Sequence, residues 1–156
     1  MKGSIKIVDN IYWVGVNDFE TNLFEALWPI PNGISYNSYL ITGKKNILID
    51  TVKYSKIDSL MEKLRTNLAN KKLDYLIINH MEPDHSVAIK ILTEIYPDLV
   101  IIGNKKTISF LNDFYLINKN IREIKDNEIL EIGNHKFQFF LTPMVHWPET
   151  MFTYEI

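Results

Sequence analysis

The stretch Tyr75-Leu76-Ile77-Ile78-Asn79 is a short apolar run with no polar alternation, bounded on both sides by segments of helical periodicity. Such a run is buried on both faces, which places it inside a parallel sheet covered by helices. Before it, Ile57, Leu60, Met61, Leu64 and Leu68 recur at helical spacing from Ser55 onward, with Ser55 expected as N-cap and Lys56, Glu62, Lys63 and Arg65 outside. After it, Val87, Ala88, Ile91, Leu92 and Ile95 predict a helix from Ser86 to Tyr96, ended by Pro97. Leu99 to Gly103 repeats the buried-strand pattern, and a third helix is expected from about Lys105 to Tyr115.

Upstream, Ile11 to Val16, Tyr36 to Ile41 and Asn46 to Asp50 read as strands, the last two joined as a hairpin through Thr42-Gly43-Lys44-Lys45. Downstream, His135 to Leu141 and Met151 to Ile156 read as strands as well. The order of elements argues for an α/β layered architecture with a mixed sheet. Asp18 to Gly33 fits neither period and is expected to be a long loop packed by its own aromatics, bordering a site.

Composition removes several chemistries. There is no cysteine, which excludes disulfides, Fe–S clusters, thiolate zinc sites and cysteine nucleophiles, so any metal is held by nitrogen and oxygen. The net charge of −2 comes from 17 basic and 19 acidic residues without a run of one sign, so neither nucleic acid nor an anionic membrane surface is an expected partner. No apolar stretch is long enough for a membrane span, and Met1 to Ile5 lacks the apolar core of a secretory leader, so a cytoplasmic address is expected.

Against that background the chemistry concentrates in one place. His80, Glu82 and Asp84 occupy every second position directly after the buried strand, and His85 follows. An extended segment lets His80 and Glu82 share one ion, while Asp84 and His85 fall at the start of the next helix, where Asp84 can also cap. Ligands in α/β sheets gather beyond the carboxyl ends of strands. Two imidazoles and two carboxylates in six residues exceed what one ion takes from so short a segment, so two adjacent ions are the economical reading. The bland alternative leaves Asp84 as a cap, Glu82 solvated and the histidines incidental. His146 sits in a proline-bracketed turn, Thr142-Pro143-Met144-Val145-His146-Trp147-Pro148-Glu149, and by itself is an ordinary loop histidine. His135 is expected to be an exposed hairpin residue without a role.

His80-x-Glu82-x-Asp84-His85 after an apolar strand resembles the metal motif of the metallo-β-lactamase fold in its flavodiiron version, where glutamate replaces the middle histidine of the hydrolases' His-x-His-x-Asp-His. Gly33-Ile34-Ser35-Tyr36-Asn37-Ser38-Tyr39-Leu40-Ile41, Leu48-Ile49-Asp50-Thr51 and the phrase around His146 are also similar to that family. The resemblance implies the first half of a metallo-β-lactamase-like αββα sandwich. It implies that His80, Glu82 and His146 hold one iron, with Asp84 and His85 on or beside a second. It further implies reduction of dioxygen to water or of nitric oxide to nitrous oxide, a redox donor such as rubredoxin or a flavin domain, FMN only in a missing or separate domain, and a homo-oligomer. Residues 1–156 are expected to be a truncated domain, because the bridging aspartate and last histidine of the family pattern do not occur here and the final strand stops at Ile156. Phe24-Glu25 departs from the Phe-His of many relatives. An oxygen-binding diiron sensor without a fused flavin domain, a zinc hydrolase and a remnant that binds nothing are the competing expectations.

Overall fold

The computed structural model describes residues 3–156, so Met1 and Lys2, the start of the segment read for a leader, lie outside the described residues. In chain order the elements are β1 (Ile5–Val8), β2 (Ile11–Trp13), β3 (Val16–Asp18), β4 (Leu23–Phe24), β5 (Trp28–Pro29), β6 (Ile34–Tyr36), β7 (Tyr39–Ile41), β8 (Ile47–Ile49), α1 (Ile57–Leu68), β9 (Tyr75–Ile77), α2 (Pro83–Ser86), α3 (Ile89–Ile95), β10 (Val100–Gly103), α4 (Lys105–Tyr115), β11 (Ile121–Glu123), β12 (Ile129–Ile132), β13 (His135–Leu141) and β14 (Met151–Glu155). A seven-stranded sheet runs in the order β1-β2-β7-β8-β9-β10-β11. Its β1 to β8 side pairs antiparallel, and β8-β9-β10-β11 pair parallel.

The apolar run of β9 is explained by two cores. Leu76 and Ile78 face a core shared with Leu60, Leu64, Leu68, Ile89, Leu92 and Leu111 of the helices. Ile77 points the other way, into a second core with Ile41, Ile47, Ile102, Phe137, Phe139 and Met151. The three-stranded antiparallel sheet β12-β13-β14 supplies the last three of these residues or lies beside them. Helices, mixed sheet and second sheet thus form successive layers of the expected sandwich. A strand between two apolar layers leaves no position for a polar side chain, which is why alternation is missing.

Several expectations needed correction, among them that of Lys63 on the outside of α1, since Lys63 is buried with its Nζ donating to Gly15 O. The strand read over Ile11 to Val16 is two, and so is that over Tyr36 to Ile41: β2 and β7 pair in the main sheet, while β3 and β6 form a separate ribbon. The bend between them comes from Val14 and Gly15, whose N–H groups both donate to Ser38 O at 2.8 and 3.1 Å. Gly15 is required there because a Cβ would sit 2.2 Å from Tyr36 O. Ser55 is not the cap of α1; the chain enters through a 3₁₀ turn, Tyr54–Lys56, with Lys56 N donating to Lys53 O. The helix expected from Ser86 to Tyr96 is split into α2 and α3, starting earlier because Pro83 suits the first helical turn. Asp84 forms no capping bond in α2, where Glu82 is the N-cap. Lastly, Asp18 to Gly33 contains the small β4–β5 hairpin, and its aromatic packing is incomplete, with Phe19, Leu27 and Trp28 exposed. Two-residue strands offer too little surface to cover them.

The helix expected from Lys105 to Tyr115 is α4, with Asn104 as its N-cap accepting from Lys106 N and Thr107 N.

Candidate metal centre

β8 and β9 end side by side, and their carboxyl ends hold the His80–His85 segment at both ends. Asp50, in the left-handed region at φ +54, accepts from Asn79 N at 2.8 Å and His80 N at 3.4 Å. Burial pushes the Asp50 carboxyl up to about 6, against the opposing pull of His85 and the two N–H groups. At the other end Thr51 donates to His85 O from its N–H at 3.0 Å and its hydroxyl at 2.6 Å. Ser86 Oγ donates to Met81 O at 2.8 Å, closing the turn between them. Neither Asp50 nor Thr51 stands out in the sequence as a support for the cluster, although both belong to the Leu48-Ile49-Asp50-Thr51 phrase.

The alternation of His80 and Glu82 does what an extended segment allows. His80 Nε2 lies 2.9 Å from Glu82 Oε2, and His146 Nε2 lies 3.1 Å from the same oxygen. Ligand atoms of His80, Glu82 and His146 all fall within 4.8 Å of one another. The Glu82 side chain is 5% exposed, that of His80 12% and that of His146 69%, so the group opens to solvent on the His146 side. Burial pushes the Glu82 carboxyl up and the Glu25 carboxyl beside it adds to this, while His80 opposes. For His80, burial favours the neutral ring, but the carboxylates of Glu149 and Glu82 outweigh it and raise the imidazole above its ordinary value.

These donors fit a metal ion. Separations near 3 Å are those of neighbouring donors around an ion with bonds of about 2.1 Å. A set of imidazoles and a carboxylate, without sulfur, suits iron, manganese or zinc. Asp84 and His85 lie beside this group rather than in it. His85 Nε2 lies 3.6 Å from Asp84 Oδ2, and the His85 ring centroid is 5.4 Å from that of His80. Asp84 Oδ1 and His85 Nδ1 are buried without a hydrogen-bond partner. Orphaned polar atoms cost about 1–3 kcal/mol each, a cost that a bound cation at Asp84 would relieve.

His146 arrives from a loop clamped to the same sheet end. Thr142 N donates to Thr150 O at 2.9 Å, Thr150 Oγ1 donates to Thr142 O at 2.7 Å, and Met144 N donates to Trp147 O at 2.8 Å. The loop is tied to the His80 segment by Met151 N donating to Asn79 O at 3.0 Å and Thr153 Oγ1 donating to Asn79 Oδ1 at 2.7 Å. Trp147 packs edge-on against His80, ring centroids 5.5 Å apart. Glu149, fully buried, puts Oε1 2.9 Å from His80 Nδ1 and 2.8 Å from Met81 N. Its backbone O accepts from Asn104 Nδ2 at 2.6 Å. Burial alone pushes the Glu149 carboxyl up, but His80 and the Met81 N–H more than offset it, so it stays below the ordinary glutamate range. Sequence reading missed Glu149 as well; its partner is 69 residues away.

Beside the group, Phe24, Glu25 and Lys53 join Glu82 and Asp84 in lining a cleft of about 410 Å³. The φ values of Glu25 and Ala26, +50 and +57, turn the β4–β5 hairpin over this cleft. The Asp18 to Gly33 segment therefore does border the cluster, as expected. His135 is not the exposed residue expected. Its side chain is 10% exposed, paired with Glu155 and stacked on Phe137, because β14 covers it, and it lies outside the His80 group.

Comparison with known proteins agrees with this geometry. The model of the ODP family beta lactamase matches residues 34–156. A flavo-diiron protein of Clostridium acetobutylicum is 39% identical over 154 residues, spanning 96% of this chain and 38% of that protein. The anaerobic nitric oxide reductase flavorubredoxin of Salmonella arizonae is 39% identical over 154 residues, spanning 97% of this chain and 32% of that protein. Among solved structures, a flavoprotein of Thermotoga maritima superposes with a TM-score of 0.91 at 38% identity, covering 97% of this chain and 39% of that one. The rubredoxin oxygen:oxidoreductase of Desulfovibrio gigas gives 0.92 at 29% identity, covering 97% and 38%. The chain spans about a third of the length of the curated relatives it matches. A family match over most of the chain, a shared fold and this identity lead to one conclusion: the chain belongs to the ODP family of metallo-β-lactamase-like proteins and is homologous to the N-terminal part of the flavodiiron proteins, a family with a non-haem diiron site.

Proposed function

We propose that residues 1–156 form the metal-binding N-terminal part of a flavodiiron-type oxidoreductase that reduces dioxygen to water or nitric oxide to nitrous oxide. The observation that carries this reading is the convergence of His80 Nε2, Glu82 Oε2 and His146 Nε2 next to the unpartnered Asp84 Oδ1 and His85 Nδ1. In it, His80, Glu82 and His146 hold one iron, and Asp84 and His85 sit on or beside the second. A pair of ferrous ions, when bound, supplies the electrons and the coordination positions for the diatomic. The chain's own residues set the surroundings. Glu82, a hard anionic donor where the hydrolases carry imidazole, favours iron or manganese over zinc. Leu23 and Phe24 contribute apolar lining to the cleft beside Glu82, while Glu25 and Lys53 place one carboxylate and one ammonium in it. The same reading takes electrons from rubredoxin or a flavin domain with its FMN, and takes the assembly to be a cytoplasmic homo-oligomer. The names of the relatives support the two substrates: one is a nitric oxide reductase, another an oxygen:oxidoreductase. Among the described residues no helix is long and apolar enough to cross a membrane.

The test is metal analysis of chain produced with iron and zinc both available. Iron retained by the wild-type chain, and lost in His80→Ala and Glu82→Ala, is the expected result. Zinc without iron would overturn the reading in favour of a hydrolase, and metal content unaffected by the two substitutions would remove the site altogether.

A further inference from the structure

We propose that Glu149 is a positioning residue for the metal centre: its buried carboxylate holds His80 in the one tautomer and ring orientation that turns Nε2 toward an ion. The proposal rests on the metal-site reading above. Glu149 Oε1 already receives the Met81 N–H at 2.8 Å and therefore acts as an acceptor. The same oxygen is 2.9 Å from His80 Nδ1, so the Nδ1 proton is donated to it. In a neutral imidazole with Nδ1 protonated, Nε2 carries the lone pair, and Nε2 is the atom that faces Glu82 and the His146 side. Two ring nitrogens on opposite edges of one imidazole thus have separate tasks, one anchored to a carboxylate and the other free to coordinate.

The anchor is itself held from two directions. Asn104 Nδ2 donates to Glu149 O at 2.6 Å while Asn104 Oδ1 caps α4, so the backbone of Glu149 is tied to the start of a helix. Met81 N ties its side chain to the residue between His80 and Glu82. Glu149 is not one of the converging ligands, and it is fully buried. A carboxylate in such a place is retained at the cost of desolvation, which the hydrogen bonds from His80 and Met81 offset. Its position also couples the His146 loop to His80, because Glu149 is three residues beyond His146 in the same clamped loop.

Glu149→Met removes the acceptor at about the same side-chain length, whereas Glu149→Gln keeps an oxygen for both N–H groups, so the pair separates positioning from mere packing. Titration of the full chain with Co(II), followed through its visible absorption, reads affinity and coordination together. The expected result is binding about 10- to 100-fold weaker in Glu149→Met, with shifted Co(II) bands, and most of the affinity restored in Glu149→Gln. Affinity within twofold of wild type and an unchanged spectrum in Glu149→Met, while His80→Ala abolishes binding, would overturn the proposal and leave the metal site standing. A wild-type chain that takes up no Co(II) would overturn both. Should the substituted chains fail to fold, the wild type with Zn(II) bound answers alone through ¹⁵N-histidine NMR: His80 protonated at Nδ1 and metallated at Nε2 is expected, and the reverse pattern overturns the proposal.

Discussion

Asp18 is fully buried at the end of β3, where its carboxylate accepts from Thr21 Oγ1 at 2.7 Å and from the N–H groups of Glu20 and Thr21, and pairs with Lys56 at 3.2 Å. Burial pushes this carboxyl up, but the hydrogen bonds together outweigh it and bring it down to about 2 from 3.8. A folded-state value below the unfolded one means that the ionised form stabilises the fold. The contribution, about 2 kcal/mol, is complete above pH ~5 and is lost as the pH falls through about 2. Urea denaturation of wild type and Asp18→Asn is expected to differ by about that amount at pH 7 and to converge near pH 2. A gap that stays constant over this range would mean that the shift is not there. At this scale the sequence was informative where partners are neighbours: the every-second-residue spacing of His80 and Glu82 foretold their meeting. The contact of His80 with Glu149 was not legible, and that of Glu82 with His146 was expected only through the family resemblance, because no local pattern encodes which distant loop lands on a strand end.

Among the elements, α4 does two things at its start. Asn104 Oδ1 accepts from Lys106 N and Thr107 N at 2.9 and 3.0 Å, and its Nδ2 reaches across to Glu149 O. Asn104→Asp keeps the acceptor and loses the donor. Helicity by circular dichroism is expected to hold, while stability falls by about 1–3 kcal/mol and Co(II) affinity falls with the freed loop. Asn104→Ala adds the loss of the cap, about 1 kcal/mol more. Equal stability of Asn104→Asp and wild type would show that the reach to Glu149 contributes nothing. Helices α1 and α4 and strands β8, β9, β10, β13 and β14 were legible because each has a face, or two faces, of uniform polarity. The bend at Gly15 was not, because it answers to Ser38 O, which belongs to another segment.

For the whole molecule, a ligand that binds only the folded state stabilises it by mass action. Co(II) at 100 times its dissociation constant adds about 2.7 kcal/mol, which for a chain of this size raises the melting midpoint by roughly 5–10 °C. Differential scanning calorimetry is expected to show that rise in wild type and to lose it in His146→Ala, a substitution at an exposed side chain that leaves the apo midpoint close to wild type. A rise that survives in His146→Ala would place the ion elsewhere. What the amino-acid sequence determined by itself is the layered α/β class, the doubly buried strand β9 and the donor types, because apolar periodicity and the absence of cysteine act through neighbours and composition alone. What only the tertiary structure decided is how the distant donors and their supports are brought to the His80–His85 segment. The carboxyl ends of β8 and β9 bring Asp50 and Thr51 to the ends of the His80–His85 segment, and the second sheet delivers His146 and Glu149 from the far end of the chain. Those contacts depend on the registers of two sheets packed face to face, a property of the assembled layers that no single segment contains.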